Sequence, residues 1–161
     1  MKSNLKNLIF GGSGSASRAG DVGLLLLRLV GLMMAMGHGM SKLIGEGRFG
    51  PPEQFVAGVE KLGFPAPTAF AWAAALAEFV GGILIAIGLL TRPAALALAF
   101  NMAVAAFLQH GGDPLFMGGG GAAKEPAVLY LLPFAALALT GAGRYSIDRF
   151  IAAGRRRRDN A

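Results

Sequence analysis

The chain has 161 residues with a formal net charge of +6, and 54% of its residues are apolar. Charged residues make up only 15%, against about 25% in a soluble domain, so the composition predicts a membrane protein. The chain contains no cysteine, which excludes disulfides, cysteine-based zinc sites and thiol redox chemistry. We interpret the excess of positive charge as the mark of the cytoplasmic side of a membrane and not as a nucleic-acid surface.

Four apolar segments predict an all-α fold, an integral membrane four-helix antiparallel bundle. The first two segments have about the 20 residues that cross the hydrocarbon layer, whereas the last two are short and need a bundle or local thinning to shield their ends. They lie in a four-span domain at 21–150, between a flexible cytoplasmic N-terminal tail at 1–20 and a basic cytoplasmic C-terminal tail at 151–161. The predicted spans are 22–40, 70–90, 93–109 and 126–141.

The connections between the spans differ in length. Thr91 and Arg92 allow only a tight turn, and Pro93 suits the first turn of the helix that follows. Such a short connection favours antiparallel neighbours. The long loop 45–69 is rich in Gly and Pro, with a short surface helix expected at 54–62.

Lys and Arg residues are concentrated on one side of the predicted bundle, which the positive-inside rule places in the cytoplasm. We therefore expect a multi-pass protein of the bacterial inner (plasma) membrane with both termini cytoplasmic and the loops 45–69 and 111–125 outside. On the cytoplasmic side, Ser146 and Asp148 are expected to cap a short amphipathic helix. That helix ends in the arginine run 155–158 and lies on the inner leaflet.

Glu78 is the only ionisable residue of the second span, FAWAAALAEFVGGILIAIGLL at 70–90. At about 1.5 Å per residue it lies ~12 Å below one membrane surface and ~18 Å below the other. A carboxylate at that depth is costly unless it faces a cavity or a partner, so Glu78 is the first candidate for a functional residue.

Helical side chains lean toward the N-terminus of their own helix, and this direction predicts an outer polar layer. The first span starts inside, so His38 and Lys42 lean down from the outer surface. The second span starts outside, so Glu78 leans up toward them. Tyr130 lies at a similar level, and His110 lies at the outer end of the third span.

Arg28 and Asn101 form a predicted inner polar layer. Both lie ~10–12 Å above the inner surface and lean inward, so we expect them to be partners of each other. On the first helix, Arg28, His38 and Lys42 follow one polar stripe, which should face the interior of the bundle and not lipid.

Each of these residues also has a structural interpretation. Arg28 could snorkel to the cytoplasmic headgroups, and Asn101 could be an interhelical hydrogen-bonding residue. His38 fits a neutral histidine near the interface, and Tyr130 fits an interfacial aromatic belt. For Glu78 the alternative is a protonated carboxyl bonded to a neighbouring helix, which would still make it a candidate proton carrier.

Four segments of the sequence carry a resemblance to a known family. The glutamate of AEFVGG, the TRPAA turn and the closing G-x-G-x-x-S-x-D are their most specific parts. The segments are LRLVGLMMAMGHGMSKLIG at 27–45, the loop LGFPAP at 62–67, AEFVGGILIAIGLLTRPAAL at 77–96 and GAGRYSIDR at 141–149. In this order they resemble the DoxX family of small four-helix bacterial membrane proteins, from about Val22 to Arg149.

The relatives in that family include a membrane subunit of thiosulfate:quinone oxidoreductase and proteins linked to oxidative-stress complexes. The resemblance implies a component of a quinone-linked redox system. A quinone or a small anionic substrate would bind near the outer layer, and other redox proteins would be partners. Glu78 and His38 would be the catalytic residues, exchanging protons and hydrogen-bonding a quinone carbonyl. The implied ligand-binding residues are Arg28, Lys42, Asn101, Tyr130 and His110.

Two other functions fit the sequence. One is a non-catalytic anchor or scaffold for partner proteins, because Gly81, Gly82 and the alanine-rich third span suit helix packing, in a homo-oligomer as well as within the chain. The other is a small-molecule or proton conduit, although no internal repeat supports a transporter. No metal site is expected, and a bis-histidine haem on His38 and His110 is disfavoured because no haem motif accompanies them.

Overall fold

The structure is a computed structural model that describes residues 17–44, 47–118 and 121–159. All regular secondary structure within these ranges is helical, which confirms the predicted all-α class. The helices are α1 Arg18–Leu43, α2 Glu53–Lys61, α3 Pro67–Ile87, α4 Thr91–Gln109, α5 Glu125–Thr140 and α6 Ile147–Asp159.

Three of the helices have the length and composition of membrane spans. α1, α3 and α4 have 26, 21 and 19 residues and are apolar enough to cross a bilayer. α5 is equally apolar but has 16 residues, about 24 Å of helix, which is shorter than the ~30 Å hydrocarbon layer. The described chain therefore has three to four helices that can span a membrane, and α2 is the short helix expected within the long loop.

The first and last helices extend beyond the bounds predicted for the four-span domain. α1 begins at Arg18, inside the predicted flexible tail, and residues 1–16 of that tail lie outside the described residues. The side chain of Ser17 caps α1 by accepting a hydrogen bond from the Gly20 N–H at 3.1 Å, which explains the early start. α6 includes residues 151–159, so most of the predicted basic tail is helical.

The turn between α3 and α4 comes earlier than predicted. α3 ends at Ile87 because Gly88 and Leu90 have φ values of 72° and 49°, and positive φ ends an α-helix. A Cβ at position 88 would lie 2.6 Å from Cβ of Ser146 and 2.9 Å from Cζ of Arg28. Glycine is thus required there by both the backbone and the contacts. We call the end of the bundle that carries residues 88–90 the turn end, and the opposite end, which carries α2, the loop end.

Arg28 closes the turn end. Its side chain is buried, and its guanidinium donates to four main-chain carbonyls, two at the end of α3 and two in the loop after α5. Nε donates to Ile85 at 3.0 Å, Nη2 to Ala86 at 2.8 Å, and Nη1 to Ala142 and Tyr145 at 3.2 and 2.6 Å. Arg28 therefore caps the end of α3 and holds the loop after α5, so the expected partnership of Arg28 with Asn101 is wrong.

Asp148 and Ser146 cap two different helices. The hydroxyl of Ser146 accepts from the Arg149 N–H at 3.2 Å and so caps α6, as predicted. Asp148 does not cap α6, because its carboxylate accepts from the N–H groups of Leu90 and Thr91 at 2.8 and 3.0 Å. It caps α4 instead, where the left-handed conformation of Leu90 points these two donors toward α6. The turn end is therefore held by side chains from α1 and α6.

Small residues allow α1 and α3 to touch along their backbones. A Cβ at Gly31 would lie 2.6 Å from the carbonyl oxygen of Gly82, and one at Gly39 would lie 2.5 Å from the amide nitrogen of Phe79. Gly31, Ala35 and Gly39 are small residues spaced four apart along α1, the spacing that brings membrane helices close together. Gly31 therefore lies opposite Gly82, and the C-terminal part of α1 packs against the middle of α3.

The apolar core lies between these two helices and the pair α4–α5. Its largest fully buried side chains include Met34, Ile85, Leu98, Phe134 and Leu137. Large apolar side chains also cover the outside of the bundle, where lipid would contact them. Examples are Leu26, Leu96, Phe100 and Leu139.

Three helices contain π-helical segments, in which the chain makes one wider turn. They are Met34–Gly39 in α1, Ala77–Gly81 in α3 and Ala105–Gln109 in α4. A π-helical turn rotates the following side chains relative to an ordinary helix and is frequent at functional sites. Each of the three segments contributes residues to the cavity described below.

Candidate functional site

A cavity of about 610 Å³ lies toward the loop end of the bundle, between α1, α3, α4 and α5 and beneath α2. Most of its wall is apolar, with contributions from α2 and from the aromatic rings of Phe55, Phe64, Phe70 and Phe100. The polar side chains in the wall are His38, Lys42, Gln54, Glu78, Asn101, Gln109, His110 and Tyr130. Its size and composition are typical of a small-molecule site, where apolar walls surround a few polar groups.

Glu78 lies at the centre of the polar cluster and is 1% exposed. Its Oε1 accepts a hydrogen bond from Nζ of Lys42 at 2.6 Å and another from Nδ2 of Asn101 at 2.8 Å. The carboxylate thus joins three helices, α1, α3 and α4. Lys42, 26% exposed, also lies 4.7 Å from the ring centre of Phe55 on α2, a favourable position for a cation.

The position of Asn101 corrects the predicted layering. Asn101 was expected in the inner layer beside Arg28, but it bonds to Glu78. Because α3 ends at Ile87 and α4 begins at Thr91, Glu78 and Asn101 both lie about 14–15 Å from the turn end. They are level with each other. The sequence had predicted that the second span ends at residue 90, and this later end placed the two residues at different depths.

His38 and Tyr130 meet on another wall of the cavity. Their rings pack edge to face with centres 5.4 Å apart, and Tyr130 also stacks on Phe134 at 6.2 Å. In the described part of the chain, neither the imidazole nor the phenol makes a hydrogen bond, so both polar groups remain able to bind a ligand. The predicted outer layer of Glu78, His38, Lys42 and Tyr130 therefore lines one cavity, with Asn101 as an added member.

His110 forms a second polar pair at the loop end. Its Nδ1 lies 2.8 Å from Oδ2 of Asp113, three residues further on, and His110 lines the cavity. Sequence reasoning had singled out His110 but missed Asp113. The H-x-x-D spacing just after the third span was the available signal, because such a pair meets within one turn.

Arg28 lies apart from this cluster. It does not line the cavity, and its four acceptors are at the turn end. The structure thus brings together Glu78, Lys42, Asn101, His38, Tyr130 and His110 and leaves Arg28 out. Among the residues that the structure describes, no three His, Asp, Glu or Cys side chains are arranged to hold a metal ion.

The first three long helices, α1, α3 and α4, show to which family the chain is related. The model of the DoxX family matches residues 23–111, more than half of the chain. The protein belongs to the DoxX family. The DoxX match covers α1 to α4 and therefore the cluster of Lys42, Glu78 and Asn101. It ends before α5 and before the GAGRYSIDR segment that caps the turn end.

Curated relatives of this DoxX protein match over most of their length. A protein of Haemophilus influenzae described as uncharacterized is 35% identical over 78% of this chain and 87% of its own. An uncharacterized membrane protein of Mycobacterium tuberculosis is 32% identical over 81% of this chain and 82% of its own. The inner membrane protein YqjF of Escherichia coli is 33% identical over 81% of this chain and 93% of its own. No solved structure matches the chain.

These relationships confirm two of the sequence predictions. The resemblance to DoxX proteins, read from short segments, is a true family relationship. Two of the relatives are named as membrane proteins, so the helices with the length and composition of spans belong to a membrane protein.

Proposed function

We propose that this protein is the membrane component of a quinone-linked redox system and that a quinone headgroup binds in the cavity beside Glu78. The observation that supports this proposal is the cavity of about 610 Å³, whose apolar wall surrounds one buried polar cluster. A quinone headgroup has the matching chemistry, because it is a flat apolar ring with oxygen atoms at opposite edges. The ring would lie against the phenylalanine side chains, and the oxygen atoms would be bound by the polar cluster.

The residues of the cluster suit the chemistry of such a ligand. Reduction of a quinone takes up two electrons and two protons, and Glu78 is a buried group that can carry a proton. Lys42 and Asn101 hold its carboxylate in place, and the free polar groups of His38 and Tyr130 can hydrogen-bond the ring oxygens. The electrons would come from a partner redox protein or from a small donor.

We further propose that the protein lies in a bacterial inner membrane with both termini in the cytoplasm. The distribution of Lys and Arg supports this orientation, and one relative is named an inner membrane protein. With this orientation, the loop end of the bundle, toward which the cavity lies, faces the periplasm or cell exterior. A partner that delivers electrons would then dock on the side of α2.

The test is the binding of a quinone analogue to the purified protein in lipid nanodiscs. We expect saturable binding of decylubiquinone to one site per chain. Ala74→Trp, which fills the cavity, should abolish this binding. The control is Ala57→Trp, on the exposed face of α2 and outside the cavity wall, which should bind as the wild type does. Absence of saturable binding to the wild type would overturn the proposal.

A further inference from the structure

The two oxygen atoms of the buried Glu78 carboxyl group have different surroundings. Oε1 accepts from both Lys42 and Asn101. Oε2 is buried and has no hydrogen-bond partner among the described residues. A carboxylate has about four acceptor positions, and a buried acceptor that lacks a donor destabilises the structure. The site therefore lacks a hydrogen-bond donor at Oε2.

The two donors that contact the carboxyl group both bind its other oxygen. The ammonium group of Lys42 and the amide nitrogen of Asn101 are both directed at Oε1. A ligand that brings a carbonyl oxygen to Oε2 would place one acceptor against another. A ligand that brings a hydroxyl group would supply the missing donor, and its bond would be strengthened by the charge of the carboxylate.

We propose that this site binds the reduced, hydroxyl-bearing form of its ligand, a hydroquinone, more tightly than the oxidised quinone, and that one hydroxyl group donates to Oε2 of Glu78. This proposal rests on the proposed function and specifies the ligand form. The oxygen at the opposite edge of the ring would be hydrogen-bonded by His38 and Tyr130, whose side chains can both donate and accept. Because preferential binding of one form shifts the equilibrium toward it, a bound quinone would be easier to reduce than a free one.

The first test compares the two redox forms with the wild-type protein in nanodiscs. Decylubiquinone is titrated in air, and decylubiquinol is titrated under argon with a reductant. We expect the quinol to bind about tenfold more tightly, which corresponds to about 1.4 kcal/mol. Equal binding, or tighter binding of the quinone, would overturn the preference and leave the quinone site standing. If neither form binds saturably, the proposed function itself fails.

The second test replaces the acceptor by a donor of the same shape. In Glu78→Gln, the side-chain amide can present N–H where Oε2 was, so the preference should reverse toward the quinone. The matched control is Glu60→Gln on the exposed face of α2, which should keep the preference for quinol. A quinol preference that survives in Glu78→Gln would contradict the assignment of the hydroxyl group to this residue.

A spectroscopic measurement on the wild-type protein keeps the proposal testable if Glu78→Gln does not fold. In an infrared difference spectrum, a new hydrogen bond to the carboxyl group shifts its stretching band. We expect a carboxyl band to shift when decylubiquinol is added and to stay in place with decylubiquinone. No quinol-specific shift would overturn the proposal.

Discussion

Glu78 is a carboxyl group among apolar helices, and it is held there by side chains from two neighbouring helices. Lys42 supplies the opposite charge and Asn101 a second donor. The sequence predicted that Glu78 and Lys42 would meet, because side chains on helices of opposite direction lean toward each other. It did not predict Asn101, because the end of α3 depends on the conformation of Gly88 and Leu90.

Removal of Lys42 should therefore destabilise the protein. In Lys42→Met the buried carboxylate loses its cation, and we expect the free energy of unfolding to fall by about 3 kcal/mol. Adding Glu78→Gln should restore part of this loss. The measurement is denaturant unfolding in detergent micelles, with Lys61→Met at the exposed end of α2 as the control. Strictly additive effects in the double variant would show that the two residues are not coupled.

Arg28 should be more sensitive to a conservative change than an exposed arginine. Lysine keeps the charge but lacks the planar fork that reaches four carbonyls at once, so Arg28→Lys leaves buried acceptors without donors. We expect a loss of about 2–4 kcal/mol in the free energy of unfolding. Arg18→Lys, at the exposed start of α1, should change it little. Equal losses in the two variants would mean that the carbonyl contacts contribute nothing specific.

At the scale of helices, the contact between α1 and α3 depends on glycine. The backbones approach so closely at Gly31 that any side chain there would contact the carbonyl oxygen of Gly82. The sequence left open whether Gly81 and Gly82 pack within the chain or between copies. In the structure Gly82 contacts α1, and Gly81 lies beside Leu98 of α4.

Gly31→Ala should separate these helices or prevent their packing. The added Cβ would meet main-chain atoms, which cannot move aside as a flexible side chain can, so we expect a loss of at least about 1–3 kcal/mol. Gly23→Ala lies on the same helix with nothing within 4 Å. It should be neutral or stabilise the protein by up to about 1 kcal/mol, because alanine favours helix. Melting curves of both variants in detergent compare them directly, and a similar shift in both would contradict the close contact.

The closing segment GAGRYSIDR shows what sequence can say about an element and what it cannot. The start of a helix after Ser146 could be predicted from its capping residue, and the structure confirms it. The role of Asp148 could not be predicted, because its partners Leu90 and Thr91 lie 57 or more residues away in the chain. The segment thus joins the end of the bundle to the α3–α4 turn.

At the scale of the whole molecule, the arrangement of the spans places the cavity toward one end of the bundle. The cavity lies beneath α2 at the loop end, while Arg28 and Asp148 hold the turn end together. The proposed orientation therefore decides from which side of the membrane a partner can reach the cavity.

Cysteine labelling can test that orientation, because the chain has no cysteine of its own. Glu60→Cys lies on exposed α2 at the loop end, and Ala153→Cys lies on exposed α6 at the turn end. In intact cells, a membrane-impermeant maleimide should label Glu60→Cys and not Ala153→Cys, and permeabilised cells should show labelling of both. The reverse pattern would place the termini outside.

Hydropathy, charge and residue type were enough to predict the membrane class, the helical fold and most of the polar side chains in the cavity. These properties act locally, because each apolar segment must form a helix in lipid whatever its neighbours do. The partner of each polar group was decided by the tertiary structure. The left-handed turn at 88–90 set Glu78 level with Asn101, and the glycine contact between α1 and α3 set Lys42 beside Glu78. The carbonyls at the end of α3 and in the loop after α5 bind Arg28, so it is not the partner of Asn101.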